Sequence, residues 1–554
     1  MTRVIMSVHT QVERLDHLGV IAGVIQDLGL VEFIDNRIPG DSREGISCGE
    51  AVAGMIINGL GFSDRPLTLT PQFFENKALS KLFRPGVNAE NFNRFKLGRA
   101  LDDCHAYGCD LLFAEASVQI CQKEAIDTKF NSLETTAFAL TGEYESDSDE
   151  HTIEITHGYS KDHRPDLKQV VLEIMCSHDG GIPVVSKAWN GNASDTKIFR
   201  ERAKALADSF KAAETPRYLI ADSKLYDKQT IEQGLCLIPF ITRIPGTIML
   251  ENTTIESALQ KPMKEWTLLD EKHRFHTFNL QHYGLQQRWM VVHSKERQNK
   301  AENMVEVRCK KEREKIEKAL KKLSAEEFLC PHDAKGALKR CFNKSKFYEV
   351  LEGTIEEEKK YESKGRPKQE SPYKLVYRIT GIIQERQTVR QEAIIQSSCF
   401  VVGTTIPQEE LSDAEVIMAY KNQNNTVERG FRFLKDPLMF TSSLFVKKTE
   451  RIMGLLMVMT LALLIYSIAQ RRLHKALKEA QETLPNQIRQ ETGKPTLRWI
   501  FQLLEGIELV KICIEKTSHV VISGITPLRR RILGYFGNSV RKIYELDLQS
   551  APVI

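Results

Sequence analysis

The chain has 554 residues, 42% apolar and 27% charged, with 77 Lys and Arg against 73 Asp and Glu for a formal net charge of +4. These values sit near globular averages and exclude a collagen-like, a wholly disordered or a polytopic membrane chain. The length suggests three or four domains. A nucleic-acid surface, if there is one, must come from local segregation of charge.

In chain order, residues 1 to 112 read as helical. Leu15–Ile34 carries apolar residues at helical spacing, Ala51–Leu60 repeats the pattern and stops at Gly61, and shorter helices are predicted around Phe73–Leu82 and Asn91–Asp103. This region is a candidate for DNA-end recognition: Lys81, Arg84, Arg94, Lys96 and Arg99 face only Glu90 across residues 81 to 100. Residues 125 to 244 change character. Strands are predicted at Phe130–Leu140, Lys168–Cys176, Ile182–Trp189, Arg217–Ala221 and Ile238–Ile244, with helices from Ser194 and around Thr230. The order β-β-β-α-β-α-β implies a mixed sheet with an acid, Asp222, at the end of the fourth strand.

Residues 245 to 395 read as an insertion, with strands near Arg274–Leu280 and Arg288–His293, a charged helix Lys295–Leu323, and a polar linker Glu362–Pro372 whose KGRPK core is basic. Residues 396 to 480 return to strand (Ser398–Thr404) and helix (Leu411–Lys435), followed by the apolar stretch Ile452–Ala469. That stretch is eighteen residues without a charge, the lower limit for a membrane span. No second span exists to partner it, so a buried core helix is expected. Residues 481 to 554 read as a basic C-terminal helical segment. The N-terminus lacks a signal-peptide pattern. Eleven scattered cysteines without a CxxC pair indicate reduced thiols and a cytoplasmic protein; Cys330-Pro331-His332 lacks the partners of a zinc site.

No phosphate-binding GxxxxGK[ST], no GxGxxG after a strand, no HExxH and no GxSxG occur. What remains are carboxylates at strand and helix ends, which is what two-metal phosphodiester chemistry uses. Asp222 follows a buried strand. Glu428 lies in VERGFRFLK, where 428, 432 and 435 share one helical face, so an acid, Arg432 and Lys435 are presented together. The alternatives are a helix N-cap for Asp222 and a solvated salt bridge for Glu428.

Several stretches carry a resemblance. They are Gly158–Asp166 (GYSKDHRPD), Gly191–Asp195 (GNASD), Tyr218–Asp222, and above all Val427–Pro437 (VERGFRFLKDP) with the apolar helix behind it; NGLGF (Asn58–Phe62) and LGRALD (Leu97–Asp102) add to them. Over nearly its whole length the chain resembles a bacterial insertion-sequence transposase of the DDE type, in the branch with a long insertion before the catalytic Glu. The resemblance implies an α/β fold, an RNase H-like mixed-sheet core interrupted by an insertion domain and preceded by an N-terminal helical domain. It implies Asp222 and Glu428 as the second and third catalytic acids and metal ligands, and the Glu-x6-Lys spacing is kept by Glu428 and Lys435. The family's upstream aromatic and arginine are replaced by Lys421 and Asn424, with Tyr420 one place early. Phosphate contacts are therefore expected from Lys435, Arg432, Arg429 and Tyr420.

The first acid departs from the family. Where the pattern has Asp, Glu134-Thr135-Thr136-Ala137-Phe138 carries a glutamate, longer by one C–C bond of about 1.5 Å. The implied cofactors are two Mg²⁺ (or Mn²⁺) ions held by Glu134, Asp222 and Glu428. The implied partners are double-stranded DNA, as element ends and as target, with a homodimer on the DNA and no membrane; the implied place is the bacterial or archaeal nucleoid. Two other functions stay open: a catalytically inactive transposase-derived DNA-binding protein, in which Glu134 has ended catalysis, and an RNase H-like nuclease on RNA hybrids.

Overall fold

A computed structural model describes all residues except 1–7, 41–42, 64–65, 143, 145–151, 161–163, 214, 344, 351–354, 362–371, 437, 439–445, 515–516 and 548–554. The chain divides into two compact units, residues 1–242 with 418–554, and residues 243–417.

The first unit opens with β1 (Val8–Arg14), which pairs antiparallel with the distant strand Glu508–Ile514, itself paired with Thr517–Ser523. The sequence places these segments in helical regions. The difference arises because the pairing joins chain ends about 500 residues apart, and local periodicity carries no sign of that. The helix expected over Leu15–Ile34 is two helices, Leu18–Leu28 and Leu30–Arg37. They break at Gly29, whose φ of 70° is open to glycine at little cost. Cys48–Leu60 starts in a capping box, Ser47 Oγ accepting from Glu50 N at 3.0 Å while Glu50 Oε2 accepts from Ser47 N at 2.9 Å. Helices Arg94–Tyr107 and Cys109–Lys123 complete this layer.

A sheet follows, with β2 (Phe130–Leu140), β3 (Lys168–Ser177), β4 (Pro183–Trp189), β5 (Tyr218–Ala221) and β6 (Phe240–Arg243). The spatial order is β4-β3-β2-β5-β6. The first three strands are antiparallel, and β5 and β6 run parallel to β2. That order and those directions are those of an RNase H-like sheet, as expected. Alternate residues Val170, Leu172, Ile174 and Cys176 of β3 and Phe138 and Leu140 of β2 line one face and join the main core with helix Thr449–Ala480.

That helix explains the uncharged stretch. By length and composition it would cross a membrane, yet 89% of its most apolar window is buried inside the protein. Each large side chain so buried stabilises the unit by about 1.5–3 kcal/mol. At its polar end Arg472 pairs with Asp27 at 2.8 Å and Glu124 at 2.6 Å, tying it to helices Leu18–Leu28 and Cys109–Lys123.

The second unit holds an antiparallel sheet of β7 (Thr267–Asp270), β8 (His273–His282), β9 (Leu285–Ser294) and the strand Cys399–Thr404. Helix Lys295–Leu323 starts at Ser294, whose Oγ accepts from Arg297 N, and buries Ala301, Val305, Cys309 and Ile316 against Phe347, Tyr348, Ala393 and Ile394. Cys330 Sγ accepts from Asp333 N at 3.4 Å and so caps helix Pro331–Phe342. The basic KGRPK core lies outside the described residues. All eleven cysteines are free thiols.

Two histidines make the first unit sensitive to acid. His178 meets Ser132 Oγ at 2.7 Å, and His17 stacks on Phe501 at 4.4 Å with its Nε2 3.0 Å from Leu60 O. Burial pushes both down to about 4. Their neutral forms are the folded forms, so the stability they contribute is complete above the ordinary histidine value. It is lost as the pH falls from about 6.5 to about 4, at most about 3 kcal/mol apiece. Denaturant midpoints at pH 7 and pH 5 should fall more for the native chain than for His178→Asn.

Candidate active site

The last paired residues of β2 and β5 are Leu133 and Ala221. One step further the two strands present Glu134 and Asp222 as neighbours, and the pleat turns both to the same face. Glu134 stands opposite Ile174 of β3, so this is the face that carries the core. Both carboxylates are partly exposed. Glu134 Oε1 accepts from the amide of Thr135 at 3.2 Å. The longer side chain thereby folds back along its own strand and takes up part of its extra reach. Asp222 is held through its backbone, Thr242 Oγ1 donating to its carbonyl at 3.1 Å.

Helix Val427–Leu434 packs on the same face. Val427, Gly430, Phe431 and Leu434 are buried, while Glu428 and Arg432 are exposed. The helix predicted over Leu411–Lys435 is interrupted: Asp413–Asn422 ends, residues 423–425 form a tight turn, and Val427 begins anew. Arg429 Nη2 donates to Gly180 O at 3.1 Å, beside the start of β2, and Lys435 Nζ lies 5.8 Å from the Phe138 ring, near its end. The helix therefore runs along β2 with Glu428 toward the start and Lys435 toward the end. Glu134 lies between these two marks on the strand. Tyr420 is half-buried at the end of the preceding helix.

Glu134 and Asp222 are thus brought side by side, and Glu428 stands on the helix packed over their face. Among the described residues no three His, Cys, Asp or Glu side chains form a group that would hold a metal ion. The chemistry of the pair nevertheless fits a cation: two hard carboxylates on one face, with an ammonium already beside them. Lys224 is that ammonium. Its pKa is raised even though burial works the other way, because Asp195, Glu134 and Asp222 all favour its charge. Lys224 Nζ pairs with Asp195, and Thr135 Oγ1 donates to the same carboxylate. Neither Asp195 nor Lys224 received a role from the sequence. The signals were present: Asp195 closes the GNASD stretch and Lys224 follows Asp222 by two residues.

The two glycine-bearing stretches meet in space. Gly191 N donates to Glu154 O at 2.9 Å, and Gln169 Nε2 donates to Gly191 O at 2.7 Å. A Cβ on Gly158 would overlap Gly191 O; one on Gly191 would overlap Gln169 O and stand 2.5 Å from Thr156 O. Both glycines are there for close backbone approach; residues 161–163 of the first stretch lie outside the described residues. Gly191→Ala should lower stability by about 3 kcal/mol, the upper end of overpacking costs, read as a shift in denaturant midpoint.

Fold and site together define an RNase H-like protein with two carboxylates at neighbouring strand positions. Residues 141–465, more than half of the chain, match the model of the transposase DDE domain. The chain belongs to that family. Residues 10–118 match a domain of unknown function, DUF4277. Among solved structures the chain is similar to a piggyBac transposase in a cryo-EM synaptic complex with hairpin DNA, at 10% identity and a TM-score of 0.35, over 90% of this chain and 82% of that one. No curated protein matches it.

Proposed function

We propose that this transposase-family chain binds the terminal inverted repeats of an insertion sequence and carries out metal-dependent cleavage and strand transfer of DNA. The observation that carries the reading is the placement of Glu134 and Asp222 side by side on one sheet face, with the Glu428 helix packed over that face. Glu134, Asp222 and Glu428 would hold two Mg²⁺ or Mn²⁺ ions. When bound, the ions supply charge neutralisation at the scissile phosphate and an activated attacking oxygen. The chain's own part is positioning. Arg432 and Lys435, on the Glu428 side of the helix, would bind phosphates next to the scissile bond. Arg429 and Tyr420 flank that helix start.

A cleft of about 460 Å³ in the first unit supports a DNA partner. Its lining includes Arg94, Arg99, Lys447, Lys448 and Arg451, beside Phe95, which is 64% exposed under the Arg94 guanidinium. A groove of cations with an exposed ring suits a phosphate backbone. Two copies on DNA would bring two ends together, as the family resemblance implies.

The test is a labelled duplex carrying the repeats that flank the gene, incubated with the protein and Mg²⁺ or Mn²⁺. Cleavage by the native chain, lost in Glu428→Gln, supports the reading. No cleavage by the native chain but recovery in Glu134→Asp would instead mark an inactivated relative that still binds DNA.

A further inference from the structure

Helix Asp195–Lys211 enters the sheet edge beside the acid pair. Ser194 caps it, accepting from Lys197 N at 3.3 Å, and Asp195 is its first residue. A carboxylate in that first turn is stabilised by the helix dipole, so Asp195 is a firm anion. It is only 11% exposed, and its two oxygens are used differently. One accepts from Thr135 Oγ1, the residue next to Glu134, itself 2% exposed. The other pairs with Lys224, two residues beyond Asp222. Thr196 Oγ1 adds a hydrogen bond of 3.5 Å to Lys224 O. A single helix start thus holds the strand of one acid and the segment after the other.

Lys224 is drawn in two directions. Its ammonium feels Asp195, Glu134 and Asp222, its side chain is 46% exposed, and a four-carbon stem gives it freedom to move. Released from Asp195, it would settle on the acid pair and neutralise the charge a divalent cation needs.

We propose that Asp195 is a positioning residue that holds the Lys224 ammonium to one side, leaving the carboxylates of Glu134 and Asp222 open to a divalent cation. The inference rests on the reading that this pair binds metal. It assigns to the GNASD stretch a role in metal affinity, and to Lys224 that of a resident competitor restrained by its partner.

The experiment is titration of the full chain with Mn²⁺, read by the loss of the free-ion electron paramagnetic resonance signal. Asp195→Asn keeps an acceptor for Thr135, and Lys224→Met keeps the stem without the charge. Asp195→Asn is expected to weaken Mn²⁺ binding about tenfold, the usual scale for a residue that orients a metal ligand. Lys224→Met is expected to tighten it several-fold. In the double variant the loss caused by Asp195→Asn should largely vanish, because no ammonium remains to move. An equal loss with and without Lys224, or no loss in either, overturns the proposal, since a purely structural role would not depend on the lysine. Glu134→Gln and Asp222→Asn separate the two readings. Mn²⁺ binding that is absent from the native chain, or that survives both changes, overturns the metal-site reading and this inference with it. Binding that both changes abolish, with Asp195→Asn silent, overturns this inference alone.

Discussion

Asp222→Asn is expected to reduce strand cleavage about a thousandfold or more, while leaving DNA binding and the thermal midpoint close to native. The substitution keeps the size of the side chain and removes its charge. Transition-state stabilisation by a metal-bound carboxylate site is worth several kcal/mol, and about 4 kcal/mol is a factor of about a thousand in rate. The fold should not notice, because the contact that holds residue 222 in place is made to its backbone: Thr242 Oγ1 donates to the Asp222 carbonyl, which asparagine retains. Single-turnover cleavage on the labelled duplex, beside a binding titration on the same DNA, measures both halves. A variant that binds but cuts at the native rate would remove Asp222 from the site. A variant that neither binds nor melts like the native chain would say that its role is structural.

The second large effect lies on the opposite face of the same sheet and is one of stability. Glu173 of β3 is fully buried. Its carboxylate accepts from Arg202 Nε at 2.5 Å and Nη2 at 3.1 Å and from Trp189 Nε1 at 2.8 Å. Arg202 belongs to helix Asp195–Lys211, so this pair fastens the helix to the sheet, beside Thr135, which stands opposite Glu173 in the register. Arg202→Met keeps the stem and leaves the carboxylate uncompensated. Breaking a buried pair from one side costs about 3–5 kcal/mol. Chemical denaturation should show that loss for Arg202→Met. Arg202→Met combined with Glu173→Gln should recover much of it, since no buried charge then remains. Equal losses in both variants would mean that packing by the arginine stem, and not charge, holds the helix. The same helix presents Asp195 to the acid pair, so this prediction and the metal titration probe its two ends.

Much of the first unit was legible in the chain itself. The strand Phe130–Leu140 and the helix Lys295–Leu323 have the predicted bounds, because alternation and helical spacing are local properties. The uncharged stretch after Lys448 reads as a core helix for lack of a second span, and it is buried as expected. Asp222 and Glu428 stand out in the sequence because each follows a recognisable local pattern, a short buried strand or an amphipathic turn. The helix carrying Glu428 was drawn too long, since a turn over residues 423–425 interrupts a composition that stays helical throughout. Arg429 was expected at phosphate, and its guanidinium donates to Gly180 O. Which flank of a short helix meets a loop 249 residues away is decided by packing alone.

What the sequence determined by itself is the set of local elements, their mixed order, the residue types suited to phosphodiester chemistry and the glutamate at the first acidic position. Those follow from side-chain period, turn chemistry and the donor properties of single residues. Only the tertiary structure decided that β1 closes with the C-terminal hairpin, that Glu134 and Asp222 are neighbours, that Gly158 and Gly191 exist for backbone contact, and that Asp195 and Lys224 sit with the acids. Each of these joins residues from about 30 to 500 positions apart. Strand register and the polar satisfaction of buried groups fix them, and both are properties of the assembled sheet that no local window of sequence contains.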